Sequence, residues 1–104
     1  MKGGIFPAYL CYTKVMLLVF NPAAFKHGVT EADIEVAMMT ALVDELIEGF
    51  DNKYLVIGFD MKRNFIEVMY NLVGDDIANI FHAMKCRKEF LKKLPERGYY
   101  VDFN

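Results

Sequence analysis

Apolar and polar positions alternate most regularly between Phe65 and Leu72. In an extended chain Ile66, Val68, Tyr70 and Leu72 share one side, and Phe65, Glu67, Met69 and Asn71 share the other. A period of two predicts a strand with one wetter face, and Glu67, its single charge, either points to water, the preferred reading, or orients a cation in the site. Tyr54-Leu55-Val56-Ile57-Gly58-Phe59 before it and Ile77 through Ala83 after it are β-rich runs of the same kind. Residues 61–64 and the turn at Gly74-Asp75-Asp76 join them. Such short connections predict an antiparallel meander.

Upstream, Lys14 to Phe20 is nearly all apolar and predicts a strand covered on both faces. Asn21-Pro22 ends it, and Pro22 opens a short helical turn through Phe25, stopped by Gly28. Thr30 caps a second helix with Glu31 and Asp33 in its first turn. Ile34, Ala37, Met38, Ala41 and Leu42 keep helical spacing, so the helix is expected to reach about residue 47 and end at Gly49. Downstream, Phe90, Leu91 and Leu94 mark a last short helix before Pro95, and residues 99–104 read as a frayed tail. The expected order is β-α-α-β-β-β-α, an α+β fold with a small antiparallel sheet and helices packed on one face.

At 104 residues the chain is expected to form one domain with one modest core. A net charge of −2 argues against a wholly basic nucleic-acid binder. The charge is uneven, however. Residues 31–51 hold Glu31, Asp33, Glu35, Asp44, Glu45, Glu48 and Asp51 with no Lys or Arg, whereas Lys85, Arg87, Lys88, Lys92, Lys93 and Arg97 crowd the end. That polarity suits an anionic ligand at one end and a basic partner at the other. Cys11 and Cys86 match no metal or redox spacing, consistent with a reduced, cytoplasmic chain. Residues 4–20 are apolar, but Pro7 and Lys14 interrupt them before the roughly 20 residues a spanning helix needs. Lys14 and Pro22 also speak against a signal peptide. Met16 reads as an internal start, with residues 1–13 as a loosely attached extension.

Asn79-Ile80-Phe81-His82-Ala83-Met84-Lys85-Cys86-Arg87-Lys88 carries the candidate chemistry: an apolar strand with a histidine breaks into cations. RNA cleavage by its own 2′-hydroxyl needs a base, an acid and a cation beside the charged phosphorane. His27 and His82 are the candidates for proton transfer, since imidazole titrates near neutrality. Lys85 and Arg87 are the candidates for stabilising the phosphorane, with Lys26 and Lys88 holding phosphate. Plainer roles stand beside each: His82 bonding a backbone group, His27 capping a helix end, Lys92 and Lys93 facing solvent, and Tyr70, Met38, Met39 and Met84 filling core. No close ligand spacing supports a metal, and no glycine-rich phosphate loop or nucleophile elbow is present, so no cofactor is expected.

Further segments form a pattern of their own: Phe20-Asn21-Pro22, Lys26-His27-Gly28-Val29, Glu31-Ala32, Lys53-Tyr54-Leu55-Val56-Ile57-Gly58, Val68-Met69-Tyr70, and Gly74-Asp75-Asp76-Ile77 through Lys85. This pattern resembles the BrnT family of bacterial type II toxins, which have a RelE-like fold. It spans roughly residues 16–94. It implies a ribosome-independent, metal-independent endoribonuclease neutralised by a cognate antitoxin of ribbon-helix-helix type, with RNA as substrate. Two departures stand out. The segment between Pro22 and Lys26 is shorter than in the family, and His82-Ala83-Met84-Lys85 replaces the usual Ser-Ala-Arg-Arg. The competing reading is therefore a non-catalytic RelE-like binding module with a decayed site, favoured by the cation lost at Met84. A third is a structural subunit that binds through the acidic residues 31–51. Self-association as a dimer is compatible with all three.

Overall fold

The computed structural model describes residues 16–95. Cys11, Lys14, Arg97, the extension at 1–13 and the tail at 99–104 lie outside the described residues. The described chain is a small α+β domain. Strand β1 (Leu17–Phe20) leads into a 3-10 turn (Pro22–Phe25) and helix α1 (Glu31–Met39). Strands β2 (Val43–Leu46), β3 (Tyr54–Phe59), β4 (Phe65–Val73) and β5 (Ile77–Lys85) follow, then a single-turn helix α2 (Lys88–Leu91).

The meander read from the sequence is present and gains a strand. β2, β3, β4 and β5 pair antiparallel in chain order, and β1 pairs with β5 in parallel, giving the order β1-β5-β4-β3-β2. The sheet is therefore mixed, not antiparallel. No tight turn joins β1 to β5, so nothing local dictates their relative direction.

Helix α1 begins as expected. The Thr30 hydroxyl accepts from the Asp33 backbone N–H at 3.1 Å, and the Asp33 carboxylate accepts from the Thr30 N–H at 3.2 Å. Its end corrects the expectation of a helix to residue 47. Thr40 closes α1: its hydroxyl donates to the Val36 carbonyl at 2.8 Å and accepts from the Phe59 N–H at 2.9 Å. Leu42 then donates to the Ile57 carbonyl, and the chain continues as β2. Pairing with β3 overrides the helical spacing, and Gly49 (φ 91°) serves the β2–β3 loop instead of a helix end.

The helices lie on both faces, not on one. On the first face α1 and the 3-10 turn bring Ile34, Ala37 and Ala24 against Val56, Ile66, Val68, Tyr70, Ala78, Ile80 and Ala83. Gly58 permits this approach: a β-carbon there would collide with the Ala37 carbonyl. On the second face Val43, Leu55, Ile57 and Cys86 are packed by Phe65, Met69, Phe90, Leu91 and Leu94. The alternation read in β4 is this division, but the face expected to be wetter is closed by the segment after β5. Burying a large aliphatic side chain contributes about 1.5–3 kcal/mol, which favours covering Leu55 and Ile57.

Candidate functional site at Glu67 and the two histidines

The β4–β5 ladder slips between Met69 and Tyr70: Met69 faces His82 and Tyr70 faces Ile80, leaving Phe81 as an extra residue. Such a bulge re-aims neighbouring side chains. Past Phe20, opposite Ile80, β1 no longer flanks β5, and the 3-10 turn packs there instead. The turn carries the chain to His27 and then to Gly28, whose φ of 85° suits glycine. The rings of His27 and His82 thereby meet edge to face, 5.8 Å between centroids at 73°.

Behind His82 lies Glu67, which is fully buried and corrects the reading that placed it in water. Its carboxylate accepts from His82 Nε2 at 2.9 Å, Arg87 Nη2 at 2.6 Å, Arg87 Nε at 3.1 Å and the Arg87 backbone N–H at 3.0 Å. Burial pushes the Glu67 carboxyl up, but the donors from Arg87 and His82 outweigh it and hold the group below the usual carboxylate range. Glu67 in turn raises the pKa of the guanidinium of Arg87. An ionised Glu67 fixes Nε2 of His82 as a donor, so in the neutral ring Nδ1 is the acceptor. Cys86, next to this cluster, is buried, and desolvation with the Glu67 charge pushes its thiol up to about 11, so it is no nucleophile at neutral pH.

On the other side of His27 is a hollow of about 320 Å³ lined by His27, Lys85, Asp33, Asp60, Asn64 and Phe65, among others. Asp33 accepts from the Met61 N–H at 3.0 Å and lies below the usual range chiefly for that reason. Asp60 holds the β3–β4 turn by accepting from the Lys62 and Asn64 N–H groups, each at 2.8 Å.

The expected site residues thus separate into two groups. His27 and Lys85 line the hollow, whereas His82 and Arg87 surround Glu67, and the ring contact joins the two groups. Lys26 and Lys88 are exposed and do not line the hollow. Arg87 reaches a carboxylate, and its guanidinium also lies 5.0 Å from the Phe90 ring centre. Sequence reasoning ranked the orienting role of Glu67 second to water, and the bonds to Arg87 and His82 reverse that order. The available signal was a lone charge between Phe65 and Met69 on a strand face that is otherwise apolar. Asp33, Asp60 and Asn64 gave no signal beyond cap and turn chemistry. Among the described residues, no three His, Cys, Asp or Glu side chains converge as a metal site requires, and no helix is long and apolar enough to cross a membrane. The chain matches no family model, no curated protein and no solved structure.

Proposed function

We propose that this chain is a toxin-type, metal-independent endoribonuclease with a RelE-like fold, acting in the cytoplasm and restrained by a ribbon-helix-helix antitoxin. The observation that carries the reading is the ring contact between His27 and His82, with one imidazole oriented by a buried carboxylate. In this scheme His82, fixed through Nε2, offers Nδ1 to the 2′-hydroxyl proton. His27 protonates the leaving 5′-oxygen, and Lys85 stabilises the phosphorane from the hollow. The rings touch, so the phosphate sits beside the pair on the Lys85 side and not between them. Arg87 acts through Glu67 as a positioning residue.

A second reading, a non-catalytic module of the same fold, is favoured by two facts. Arg87 is engaged by Glu67, and the carboxylates of Asp33 and Asp60 line the hollow, where they repel phosphate. Incubating the purified full chain with RNA in excess EDTA separates the readings. The nuclease reading predicts fragments ending in 2′,3′-cyclic phosphate, lost in His82→Ala and in Lys85→Ala, and growth arrest on induced expression that the same substitutions relieve. Intact RNA and unimpeded growth with the unsubstituted protein would leave the module.

A further inference from the structure

We infer that β2 is a docking edge for a basic, extended segment of a partner protein, which joins the sheet as a sixth strand. β2 ends the strand order, and among the described residues no strand pairs with its outer side. Its inner side is settled by antiparallel pairing: Ile47 donates to the Lys53 carbonyl at 2.7 Å. Strand alternation then turns Val43 and Glu45 toward β3 and leaves the N–H and C=O of Asp44 and Leu46 pointing outward. Val43–Leu46 contains no proline, lysine or bulge to block pairing, and the two charges on this short edge, Asp44 and Glu45, are both acidic, so they discourage an acidic strand but not a basic one.

The side chains specify the occupant. Asp44 and Leu46 share the α1 face, where Asp44 accepts from the Tyr70 hydroxyl at 2.8 Å and Leu46 stands opposite Tyr54. Glu45 projects from the other face. Leu46 is 47% exposed and Phe50, just beyond, is 49% exposed. Asp44, Glu45, Glu48 and Asp51 are neighbours of this apolar pair in the sequence. Lys93 bonds one of these acids, Glu45, at 2.6 Å, and Lys53 lies over the Phe50 ring at 4.4 Å. A strand edge that carries acidic residues beside exposed apolar side chains repels nucleic acid and attracts a cationic chain. An antiparallel segment therefore needs an apolar residue opposite Leu46 followed by cations opposite Glu45 and Asp44, and a parallel one needs the reverse. Backbone bonds to the outward groups supply affinity, and the charges supply selection. Nothing in this inference depends on RNA cleavage.

The test titrates the isotope-labelled full chain with a synthetic peptide of repeating Val-Lys-Arg-Val pattern. An all-lysine peptide of equal charge and a short single-stranded RNA serve as comparisons. The expected result is amide shifts confined to residues 43–47, with binding weakened by salt. Leu46→Pro deletes one outward N–H without touching the β3 ladder, and should cut affinity about tenfold, as loss of roughly one hydrogen bond does. Should Leu46→Pro fail to fold, Glu45→Lys on the exposed strand decides, with a similar loss expected. Equal binding by the all-lysine peptide or the RNA, or affinity unchanged in these variants, would overturn the inference. So would amides of Asp44 and Leu46 already protected from exchange in the free protein, since the chain itself or a second copy would then occupy the edge.

Discussion

The two faces of the sheet are closed by different physics. On the α1 face, close approach does the work: Ile34 and Ala37 are fully buried, and Gly58 admits the helix backbone. On the α2 face, a fully buried carboxylate sits among apolar neighbours and is tolerated because Arg87 and His82 donate to it. The first arrangement specifies mainly shape, with the Tyr70 hydroxyl bonded to Asp44 at its margin. The second stores charge, orients an imidazole and ties the segment after β5 to the sheet, so chemistry is to be sought there.

The largest effect that tests this contrast belongs to the packed face. Ile34→Ala leaves a cavity with no polar compensation and should cost about 2–5 kcal/mol in urea unfolding. Arg87→Ala comes next. It removes the main donor to a buried carboxylate, a loss that reaches about 3–5 kcal/mol for a fully buried pair; the Arg87 side chain is 42% exposed, so about 2–3 kcal/mol is expected. A cost for Arg87→Ala near zero would mean that Glu67 is not held as a charge.

Acid distinguishes the faces further. The pKa of Glu67 is depressed in the folded state, so its ionised form contributes stability that is fully present above the unfolded value, about 4.3. That contribution disappears as pH falls from there through the lower folded-state value. Unfolding midpoints measured from pH 6 downward should fall more steeply in the unsubstituted chain than in Glu67→Gln. Ile34→Ala should keep the steep dependence. Parallel curves for Glu67→Gln and the unsubstituted chain would assign the acid sensitivity elsewhere, with Asp33, also depressed, as the next source. The smallest effect is at the cap: Thr30→Ala loses the bond to the Asp33 N–H and should cost about 1 kcal/mol, without altering the acid behaviour of Glu67.

Much of the meander was legible because it is local. The period-two pattern of β4, the Asn21-Pro22 stop and the Thr30 cap each rest on neighbours in sequence, and each stands where it was read. β2 was hidden because Val43-Asp44-Glu45-Leu46 keeps helical composition, and only the partner strand β3 makes it extended. The parallel seat of β1 and the cover on the second face are likewise non-local. At the site, His27, His82, Lys85 and Arg87 were found by residue type. The role of Glu67 in orienting a cation was legible only as the lesser alternative, since a glutamate on an alternating strand faces water unless distant donors are aimed at it. Arg87 provides those donors only after the chain leaves β5 and turns back over Glu67.

The central claim, that one buried carboxylate aligns His82 beside His27, is tested most directly by imidazole nuclear magnetic resonance of the full chain near neutral pH. The account predicts ring-to-ring Overhauser contacts between the two histidines and a His82 proton on Nε2, with that tautomer lost in Glu67→Gln. A His82 proton on Nδ1 with no contact to the His27 ring would contradict it.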